Sequence, residues 1–530
     1  MCHIHYRWDQ NMKVETQIKT LLKKLSQDIF EKEHILAMAL LSAIAGESIF
    51  LLGPPGTAKS LVARRLKMAF KDSRAFEYLM SRFSTPDEIF GPVSISLLKN
   101  EDRYERVVDG FLPTATVVFL DEIWKASPSI QNSLLTAINE RIFQNGRNTI
   151  HLPMKGLIAA SNELPAEDEG LEALWDRFLV RMVSNCINSE ASFFKMIRQG
   201  NSHDPVVPED CLITDELFDK WQQHIDKIVI PDDICYAITS IRKRLKEETK
   251  KDDVNDMDYY VSDRRWKKCF RLMRASAFLN GRKALDMTDL PLLIHCLWNK
   301  AETIATTVDV VLKGLTASIY DRLDKIEKAL EQELKFSAEP VIKQKDKKKQ
   351  SESFLLTNYM YYSLRDFPKG QCLFYKHDYN HLDPKKSVDG IIYMDEAKNA
   401  WIVRAIYTGT PFDYKVKTTS QVKKVKLLKC NAGIIVDGVP YGFEGMVNSA
   451  LSGETGTVNN ALVKNWAESA LELMNNDLRP QLSQLQDQFV KAEHLFLSND
   501  DLKLANKYLS QCEKRFNEVA VKVHNAKGLL

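Results

Sequence analysis

The chain has 530 residues, of which 44% are hydrophobic and 27% are charged. These are ordinary values for globular proteins, so they exclude a largely disordered or fibrous chain, and the length suffices for three or four domains of roughly 100–200 residues each. Lys and Arg total 73 against 71 Asp and Glu, a net charge of +2, which argues against a dedicated nucleic-acid binder because phosphate contacts need a surplus of positive charge.

The cysteines and the hydropathy of the chain bear on where the protein works. None of the nine cysteines forms a C-x-x-C pair, so neither a zinc ribbon nor a disulfide framework is predicted. Cys2, His3 and His5 lie near the start without an apolar run, which we interpret as a frayed terminus rather than a metal site or a secretory signal. The longest apolar stretch, residues 35–45, is shorter than the ~20 residues that span a bilayer. We therefore expect a cytoplasmic protein with reduced thiols and no membrane span.

The first part of the chain, residues 1–205, alternates two kinds of pattern. Apolar residues recur at helical spacing at 35–43 and 61–70. Three short apolar runs are typical of buried strands, at 48–52, 117–120 and 157–160. Strands that alternate with helices predict an α/β fold in which a parallel sheet carries helices on both faces.

Helical patterns dominate the chain from residue 206 to 340. Residues 206–305 show no strand pattern, which predicts a small all-helical domain. An apolar heptad seam follows, and it resumes near the end of the chain. Steps of three and four residues place these side chains on one helix face, so we expect a split triple-helical domain formed by 306–340 and 461–530. The seam comprises Leu312, Leu315, Ile319, Leu323, Ile326 and Leu330, and then Leu478, Leu482, Leu485, Phe489, Ala492, Phe496, Leu502, Ala505, Leu509, Cys512, Phe516, Val519 and Val523.

Residues 341–460 separate the two parts of that domain. The segment begins with a lysine-rich run at 343–350, which we interpret as a solvated linker. Runs rich in Tyr, Val, Ile and Gly follow at 390–393, 400–406 and 433–436. We therefore expect a β-rich insertion carried on a helical stalk, and we consider it a candidate partner-binding domain.

A glycine- and proline-rich loop follows the first strand pattern and opens a helix. In that context the backbone N–H groups of the loop and of the helix N-terminus can face phosphate groups, and only small residues let them approach. Lys59 is expected to reach the β- and γ-phosphates, and the Ser60 hydroxyl to ligate Mg²⁺. Alanine stands where glycine is usual, and its methyl group is tolerable if Ala58 keeps a negative φ. The loop comprises Gly53, Pro54, Pro55, Gly56, Thr57, Ala58, Lys59 and Ser60.

Two polar strand ends accompany the loop. One apolar run ends in Asp121 and Glu122, and a later one ends in Asn162. Asp121 is expected to hold Mg²⁺ through water, and Glu122 to orient and polarise the attacking water. Parallel strands end at one edge of a sheet, so Asn162 is expected beside Asp121, where it can bind the γ-phosphate or the water. An asparagine at a strand end is also a common turn former, so its assignment depends on the other two motifs.

Arginines cluster in two later places. Arg177 and Arg181 close the α/β part, and Arg264 and Arg265 open a helix in the all-helical part. An exposed arginine usually only solvates a helix, but hydrolysis of a nucleoside triphosphate needs positive charge at the γ-phosphate in the transition state. An arginine supplied across a subunit boundary contributes about 10³–10⁵ in rate. These arginines are therefore candidates for that role.

Taken in this order, the phosphate loop, the Asp-Glu strand end, Asn162 and the arginines resemble the AAA+ ATPases. The stretch that follows the strand end resembles the MoxR branch of these proteins, and other matches are close to the regulatory ATPase variant A (RavA) group. The resemblance covers about residues 30–300, and beyond them the chain resembles RavA only in layout. The matching stretches are Asp121-Glu-Ile-Trp-Lys-Ala-Ser-Pro128, Asn132-Ser-Leu-Leu135, Ala137-Ile-Asn-Glu140, Ala75-Phe-Glu-Tyr-Leu-Met80, Arg82-Phe-Ser-Thr-Pro86 and Tyr260-Val-Ser-Asp-Arg-Arg-Trp266.

This resemblance implies a role for each candidate residue. It implies an AAA+ α/β nucleotide-binding domain at 1–205 and an all-helical lid at 206–305. It also implies a homo-oligomeric ring, typically a hexamer, that binds ATP and Mg²⁺ at its subunit boundaries. In that assignment the two Walker motifs contain Lys59, Ser60, Asp121 and Glu122, sensor 1 is Asn162, the arginine finger is Arg177, and the second sensor is Arg264 or Arg265.

The resemblance also implies partners. MoxR-type proteins are chaperone-like ATPases that remodel or mature other proteins, commonly with a von Willebrand factor A (vWA) domain protein. The RavA group is also associated with the inducible lysine decarboxylase through its inserted domain. A nucleic-acid motor is an alternative, because replicative helicases share a similar Ala-Lys-Ser loop, although the basic runs at 343–349 and 423–429 contain few aromatic groups that could stack on bases. A nucleotide-gated scaffold that docks a partner through the insertion is a third possibility.

Overall fold

Two compact units make up the chain, Met1–Leu315 with Gln488–Ala505 and Thr316–Asp487 with Asn506–Leu530. The computed structural model describes residues 2–166, 170–198, 204–251, 257–338, 356–357, 361–368, 370–384, 386–395, 400–406, 422–430, 433–444, 457–491 and 493–528. The expected linker at 343–350 lies outside these residues. Among the helices that are described, none combines the length and the hydropathy needed to cross a bilayer.

The first unit opens with helices and strands that alternate along the chain. The central strands are short apolar runs with buried side chains, which is typical of parallel strands covered by helices. In chain order the elements are α1 (Cys2–Leu25), α2 (Glu33–Ala45), β1 (Ser48–Leu52), α3 (Lys59–Lys67), β2 (Ala75–Leu79), α4 (Pro86–Phe90), α5 (Ile95–Glu101), β3 (Val117–Asp121), α6 (Pro128–Glu140), β4 (Ile142–Asn145), β5 (Asn148–His151), β6 (Gly156–Ser161), α7 (Glu172–Trp175), β7 (Phe178–Val183) and α8 (Glu190–Arg198).

Five of these strands form one sheet in the order β2-β3-β6-β1-β7, and every pairing in it is parallel. The predicted parallel sheet is thus confirmed. Leu52 at the end of β1 pairs with Ser161 at the end of β6, and Asp121 at the end of β3 pairs with Ala160. The carboxyl ends of three neighbouring strands therefore lie at one edge, and the loops that follow them are adjacent, which is where open α/β sheets bind ligands.

A helical part completes the first unit. Its described residues between 204 and 315 form helices and 3₁₀ turns apart from isolated bridges such as Val229 with Ala284, so the predicted all-helical stretch is confirmed. Ser262 begins the third of these helices by accepting a hydrogen bond from the Arg265 N–H at 3.1 Å. This cap places Arg264 and Arg265 in the first helical turn. The helices are α9 (Asp215–Ile225), α10 (Asp232–Glu248), α11 (Asp263–Leu279), α12 (Ile294–Leu297) and α13 (Ile304–Leu315).

Gln488–Ala505 belongs to the first unit although it lies in sequence between the two parts of the second unit. The Leu495 N–H donates to Asn280 Oδ1 at 3.0 Å, and His494 Nε2 lies 3.2 Å from Ser276 Oγ. The heptad pattern predicts that all of 461–530 belongs to the triple-helical domain. It reports only the apolar spacing, however, and not the unit against which the apolar face packs. The polar contacts of His494 and Leu495 show that this stretch packs on α11.

The second unit consists of long helices and a β-rich part. Leu312 and Leu315 of the expected seam lie on α13, and Thr316 separates them from the next helix, so the seam of that helix begins at Ile319. The elements are α14 (Ala317–Ala338), β8 (Leu356–Thr357), β9 (Tyr361–Leu364), β10 (Cys372–Tyr375), α15 (Lys376–His381), β11 (Val388–Asp395), β12 (Ala400–Ala405), β13 (Lys423–Lys429), β14 (Gly433–Val436), β15 (Val439–Gly442), α16 (Thr457–Leu473), α17 (Arg479–Lys491) and α18 (Asn499–Gly528). The end of α17 from Gln488 and the start of α18 up to Ala505 are the parts of these two helices that belong to the first unit.

Ion pairs and hydrogen bonds join the long helices. Arg515 on α18 contacts Asp324 on α14 at 3.2 Å, and Gln486 on α17 donates to Glu513 on α18 at 2.9 Å. A π-helical turn, Met474–Leu478, connects α16 to α17. Along α14 the seam residues from Ile319 to Leu330 are buried, as their three- and four-residue spacing predicts.

The β-rich part is an eight-stranded sheet in the order β15-β14-β13-β11-β12-β10-β9-β8. Its β10–β12 pairing is parallel, and the other pairings are antiparallel. Asp378 is buried and accepts hydrogen bonds from Arg404 Nε at 2.7 Å and from the Ala405 N–H at 2.9 Å, which ties α15 to β12. The predicted β-rich insertion is confirmed.

Candidate active site

The phosphate loop connects the end of β1 to the start of α3. The Gly53 N–H donates to the Ser161 carbonyl at 3.1 Å, and a Cβ at residue 53 would lie 2.1 Å from the Ser184 carbonyl oxygen. Only glycine fits at that position. Thr57 Oγ1 donates to the Pro54 carbonyl at 2.9 Å, and Ser184 Oγ donates to the Thr57 carbonyl at 3.1 Å. The loop is therefore held by β6, by Ser184 and by its own side chains.

Ala58 departs from the expectation for this loop. Its φ is +60° and its ψ is 26°, so the condition of a negative φ, under which alanine would be tolerated without strain, is not met. The residue directly precedes α3, and the turn into the helix needs a left-handed conformation at that point. For an L-residue this conformation costs roughly 1–2 kcal/mol, which explains why glycine is the usual residue there.

We expect Ala58→Gly to raise the free energy of unfolding by up to about 1 kcal/mol, because glycine adopts the left-handed conformation without strain and loses only part of that gain through its greater freedom when unfolded. The matched control is Ala63→Gly inside α3, which should lower the same quantity by about 1 kcal/mol or more. Urea denaturation of the two variants and the wild type measures the effect. Equal destabilisation by both substitutions would contradict the strain at Ala58.

Lys59 opens α3 and is buried. Its Nζ donates to the Gly53 carbonyl at 2.5 Å and to Asn162 Oδ1 at 3.1 Å, and the Ser161 carbonyl lies at 3.5 Å. Burial lowers the pKa of Lys59, while the charges of Asp121 and Glu122 act in the opposite direction. The structure thus brings together the loop lysine, Asn162 and the acidic strand end, as the register of the parallel sheet requires.

The acidic strand end lies beside β6. The Glu122 N–H donates to Asp121 Oδ1 at 3.0 Å, and Glu122 has a φ of +53°. This left-handed residue turns the chain sharply away from β3. Glu122 Oε2 lies 3.4 Å from Ser161 Oγ and 3.4 Å from Lys125 Nζ. The Glu122 carboxylate is therefore restrained by one hydroxyl and one cation at the sheet edge that carries the phosphate loop.

A cavity of about 470 Å³ adjoins the phosphate loop. One of its walls is formed by Gly56, Thr57 and Ala58. Residues of the segments before α2 and after β7, together with Leu61 of α3, form the rest, and the apolar side chains among them are typical of a small-molecule site. The sequence analysis did not predict these residues, because no motif marks them. The one indication in the sequence was the apolar pair Ile29 and Phe30 ahead of α2. The residues of the two segments are Asp28, Ile29, Phe30, Lys32, Asn185, Cys186, Ile187, Phe193 and Met196.

The four arginines separate into a buried pair and a more accessible pair. Arg181 and Arg265 are buried, and each donates to Asn299 Oδ1 at 2.7 Å. Arg181 also stacks on the Trp175 ring at 3.7 Å from its centroid. Burial lowers the pKa of both guanidinium groups. Through Asn299 this pair joins β7 to the helical part.

Arg177 and Arg264 form the accessible pair. Arg264 is exposed and donates to Asn139 Oδ1 at 2.6 Å. Burial lowers the pKa of Arg177, and the nearby charge of Arg264 lowers it further. Arg177 lines a second cavity of about 560 Å³, whose lining includes no residue of the 53–60 loop. The structure therefore does not bring Arg177 to the phosphate loop of its own chain.

Comparison with known proteins places this geometry in a family. Residues 16–217 match the family model described as the MoxR domain in the MoxR-vWA-beta-propeller ternary systems, and residues 233–311 match a model described as an AAA lid domain. An uncharacterized protein of Methanocaldococcus jannaschii is 36% identical over 322 residues, which cover 60% of this chain and 80% of that protein. The chain belongs to the MoxR-type AAA+ ATPases.

Two further proteins are similar to this chain in sequence. A second uncharacterized protein of M. jannaschii is 37% identical over 285 residues, which cover 54% of this chain and 72% of that protein. A structural protein of Acidianus two-tailed virus is 32% identical over 164 residues, which cover 30% of this chain and 26% of that protein. The resemblance to the MoxR branch that the motifs indicated is thus confirmed.

ATP and Mg²⁺ fit the residues at this sheet edge. The buried ammonium of Lys59 contacts neutral oxygen atoms alone among the described residues, so its charge remains available to a phosphate. Asp121 and Ser60 offer hard oxygen ligands of the kind that Mg²⁺ prefers. At residue 53 a Cβ would clash with the Ser184 carbonyl, so glycine lets the loop lie close to this residue.

Proposed function

We propose that this protein hydrolyses ATP at the sheet edge described above. The observation that carries the proposal is the contact of Lys59 Nζ with Asn162 Oδ1 at 3.1 Å, next to Asp121 and Glu122. Lys59 binds the β- and γ-phosphates, and the loop N–H groups, together with the cavity beside them, hold the rest of the nucleotide. Ser60 and Asp121 would hold Mg²⁺, which would supply positive charge to the phosphates when bound.

Glu122 and Asn162 direct the attacking water. Glu122 accepts a proton from that water as its oxygen bonds to the γ-phosphorus, and the bond from that phosphorus to the ADP oxygen breaks, giving ADP and phosphate. Ser161 Oγ and Lys125 Nζ restrain the Glu122 carboxylate for this task. Asn162, which contacts Lys59, binds the γ-phosphate or the water as sensor 1.

The accessible arginines support a ring. Arg177 lines a cavity apart from the phosphate loop of its own chain, so we propose that it reaches the nucleotide of a neighbouring subunit. Arg264 lies close enough to Arg177 to depress its pKa, whereas Arg265 is buried in packing, so we propose Arg264 as the second sensor. Head-to-tail contacts of this kind close into cyclic rings, and we propose a hexamer.

The output we propose is chaperone-like remodelling of partner proteins in the cytoplasm. The description of the matching family model names MoxR-vWA-beta-propeller ternary systems, which supports a vWA-domain protein as the first partner. RavA resembles this chain in layout, with a β-rich insertion on long helices. Membership of the RavA group and association with the inducible lysine decarboxylase stay predictions drawn from that resemblance.

Capture of partners in the ATP state tests this output. The full chain carrying Glu122→Gln, immobilised with Mg²⁺ and ATP, is expected to retain a vWA-domain protein from its own cell extract, because ATP stays bound without turnover. A Lys59→Ala chain is the matched control and should retain at least about tenfold less, since it cannot enter the ATP state. Equal retention by both variants, or ATPase stimulation by single-stranded DNA without protein capture, would contradict the proposal.

A further inference from the structure

A cluster of two histidines and one aspartate lies in the first unit, outside the nucleotide site. His34 belongs to α2, His295 to α12 and Asp501 to α18, so the three residues come from distant parts of the sequence. One potential ligand atom from each residue can be chosen so that all three lie within 4.8 Å of one another. Neither the phosphate loop nor the arginines contribute to this cluster.

The distances suit a small divalent cation. His34 Nε2 lies 3.5 Å from Asp501 Oδ2, and His295 Nε2 lies 4.0 Å from Asp501 Oδ1. Zinc binds imidazole nitrogen and carboxylate oxygen at about 2.0–2.2 Å, which puts tetrahedral ligands roughly 3.3 Å apart. A rotation of one imidazole ring would close the remaining difference. The two rings meet edge to face, with centroids 5.2 Å apart, so their nitrogens can converge on one point.

His295 has an unused nitrogen in this cluster. Its Nε2 is buried and has no hydrogen-bond partner among the described residues. Buried polar atoms in native proteins are normally paired, so an unpaired nitrogen directed at a carboxylate calls for an explanation. A neutral imidazole with its proton on Nδ1 offers the Nε2 lone pair to a cation.

The other two side chains are already positioned. Asp501 Oδ2 accepts hydrogen bonds from the Ser498 N–H at 2.9 Å and from Ser498 Oγ at 2.7 Å, which fixes the carboxylate at the start of α18. Such supporting contacts orient metal ligands in proteins. His34 Nε2 donates to the Phe496 carbonyl at 3.1 Å, so this nitrogen gives up its proton when a cation binds and the carbonyl oxygen lies next to the ion.

We propose that His34, His295 and Asp501 bind one Zn²⁺ ion. Two imidazoles and one carboxylate favour zinc over Mg²⁺ or Ca²⁺, which prefer oxygen ligands throughout. The Phe496 carbonyl or a water completes four-coordination. The ion joins α2 of the α/β part, α12 of the helical part and the returning segment at α18, so it stabilises the packing of all three. The site is independent of ATP hydrolysis.

Cobalt binding tests the site, since Co²⁺ replaces Zn²⁺ and its visible absorption reports tetrahedral coordination. The metal-depleted full chain is titrated without nucleotide in a background of Cys2→Ser, His3→Gln and His5→Gln, which removes the other candidate ligands near the start. One equivalent should bind with a tetrahedral spectrum, and 1 mM Mg²⁺ should not displace it. Asp501→Asn or His295→Gln should weaken binding by about 100-fold, whereas the exposed His151→Gln should not change it.

Two measurements keep the test decisive if a variant folds poorly. X-ray absorption of the Zn²⁺-loaded background chain should show nitrogen and oxygen ligands without sulfur. Free Zn²⁺ at one hundred times its dissociation constant should raise the melting temperature of the background chain by about 5 °C. Absence of Co²⁺ or Zn²⁺ uptake, sulfur ligation, or equal affinity in wild type and Asp501→Asn would overturn the proposal.

Discussion

Replacing Glu122 with glutamine is expected to leave ATP binding intact and to slow phosphate release by about 10²–10⁴-fold. Glutamine keeps the size of the side chain and its contact with Ser161 Oγ, but it cannot accept the proton of the attacking water. Lys59 and Asp121 are untouched, so the phosphates and Mg²⁺ keep their ligands. Binding of a fluorescent ATP analogue and release of phosphate, measured on one preparation, separate the two effects.

The matched control for this variant is Glu163→Gln. Glu163 is an exposed carboxylate next to Asn162 at the same sheet edge, so its substitution changes the local charge equally. We expect wild-type turnover in Glu163→Gln. Undiminished hydrolysis in Glu122→Gln, or an equal loss in both variants, would show that Glu122 does not direct the water.

Replacing Arg177 with alanine is expected to reduce turnover by about 10³–10⁵-fold while ATP still binds. Its guanidinium lies in a cavity without loop residues of its own chain, so we expect its target to be the γ-phosphate of a neighbour. Mixing Arg177→Ala with Lys59→Ala should then restore activity, because each chain supplies the group that the other lacks. Random mixing in equal amounts places both groups at about a quarter of the head-to-tail boundaries.

Turnover recovered in the mixture decides whether Arg177 acts on the nucleotide of a neighbouring subunit. Light scattering establishes that each variant assembles to the size of the wild type before mixing. Arg147→Ala, a substitution of an exposed arginine on the β4–β5 turn, serves as the control and should keep full activity alone. An inactive mixture of correctly assembled chains would place Arg177 within its own subunit or outside the reaction.

Short-range patterns were sufficient to predict the arrangement of the sheet edge. Alternation of strands and helices predicted parallel pairing, and parallel pairing placed the residues after β1, β3 and β6 together, as the register of Leu52 with Ser161 confirms. Lys59 and Asn162 meet for the same reason. These contacts follow from local apolar runs and one rule of topology, and no long-range packing is needed to foresee them.

Features that depend on tertiary packing were not predictable. Ala58 adopts a positive φ because the turn into α3 overrides its intrinsic preference. Arg264 and Arg265 are adjacent in sequence, and only the contacts of Arg265 with Trp298 and Asn299 show which of them is buried. The return of His494 and Phe496 to the first unit, and the cavity beside the loop, likewise join segments that no local pattern relates.

Steady-state release of phosphate by the wild-type chain tests the central claim most directly, with ATP varied at constant Mg²⁺ and Lys59→Ala measured in parallel. We expect turnover that saturates with ATP in the wild type and is lost in Lys59→Ala, because the lysine is the cation held at the end of the phosphate loop. Turnover that persists in Lys59→Ala, or a wild-type chain that binds ATP no better than this variant, would contradict the assignment of this sheet edge as an ATPase site.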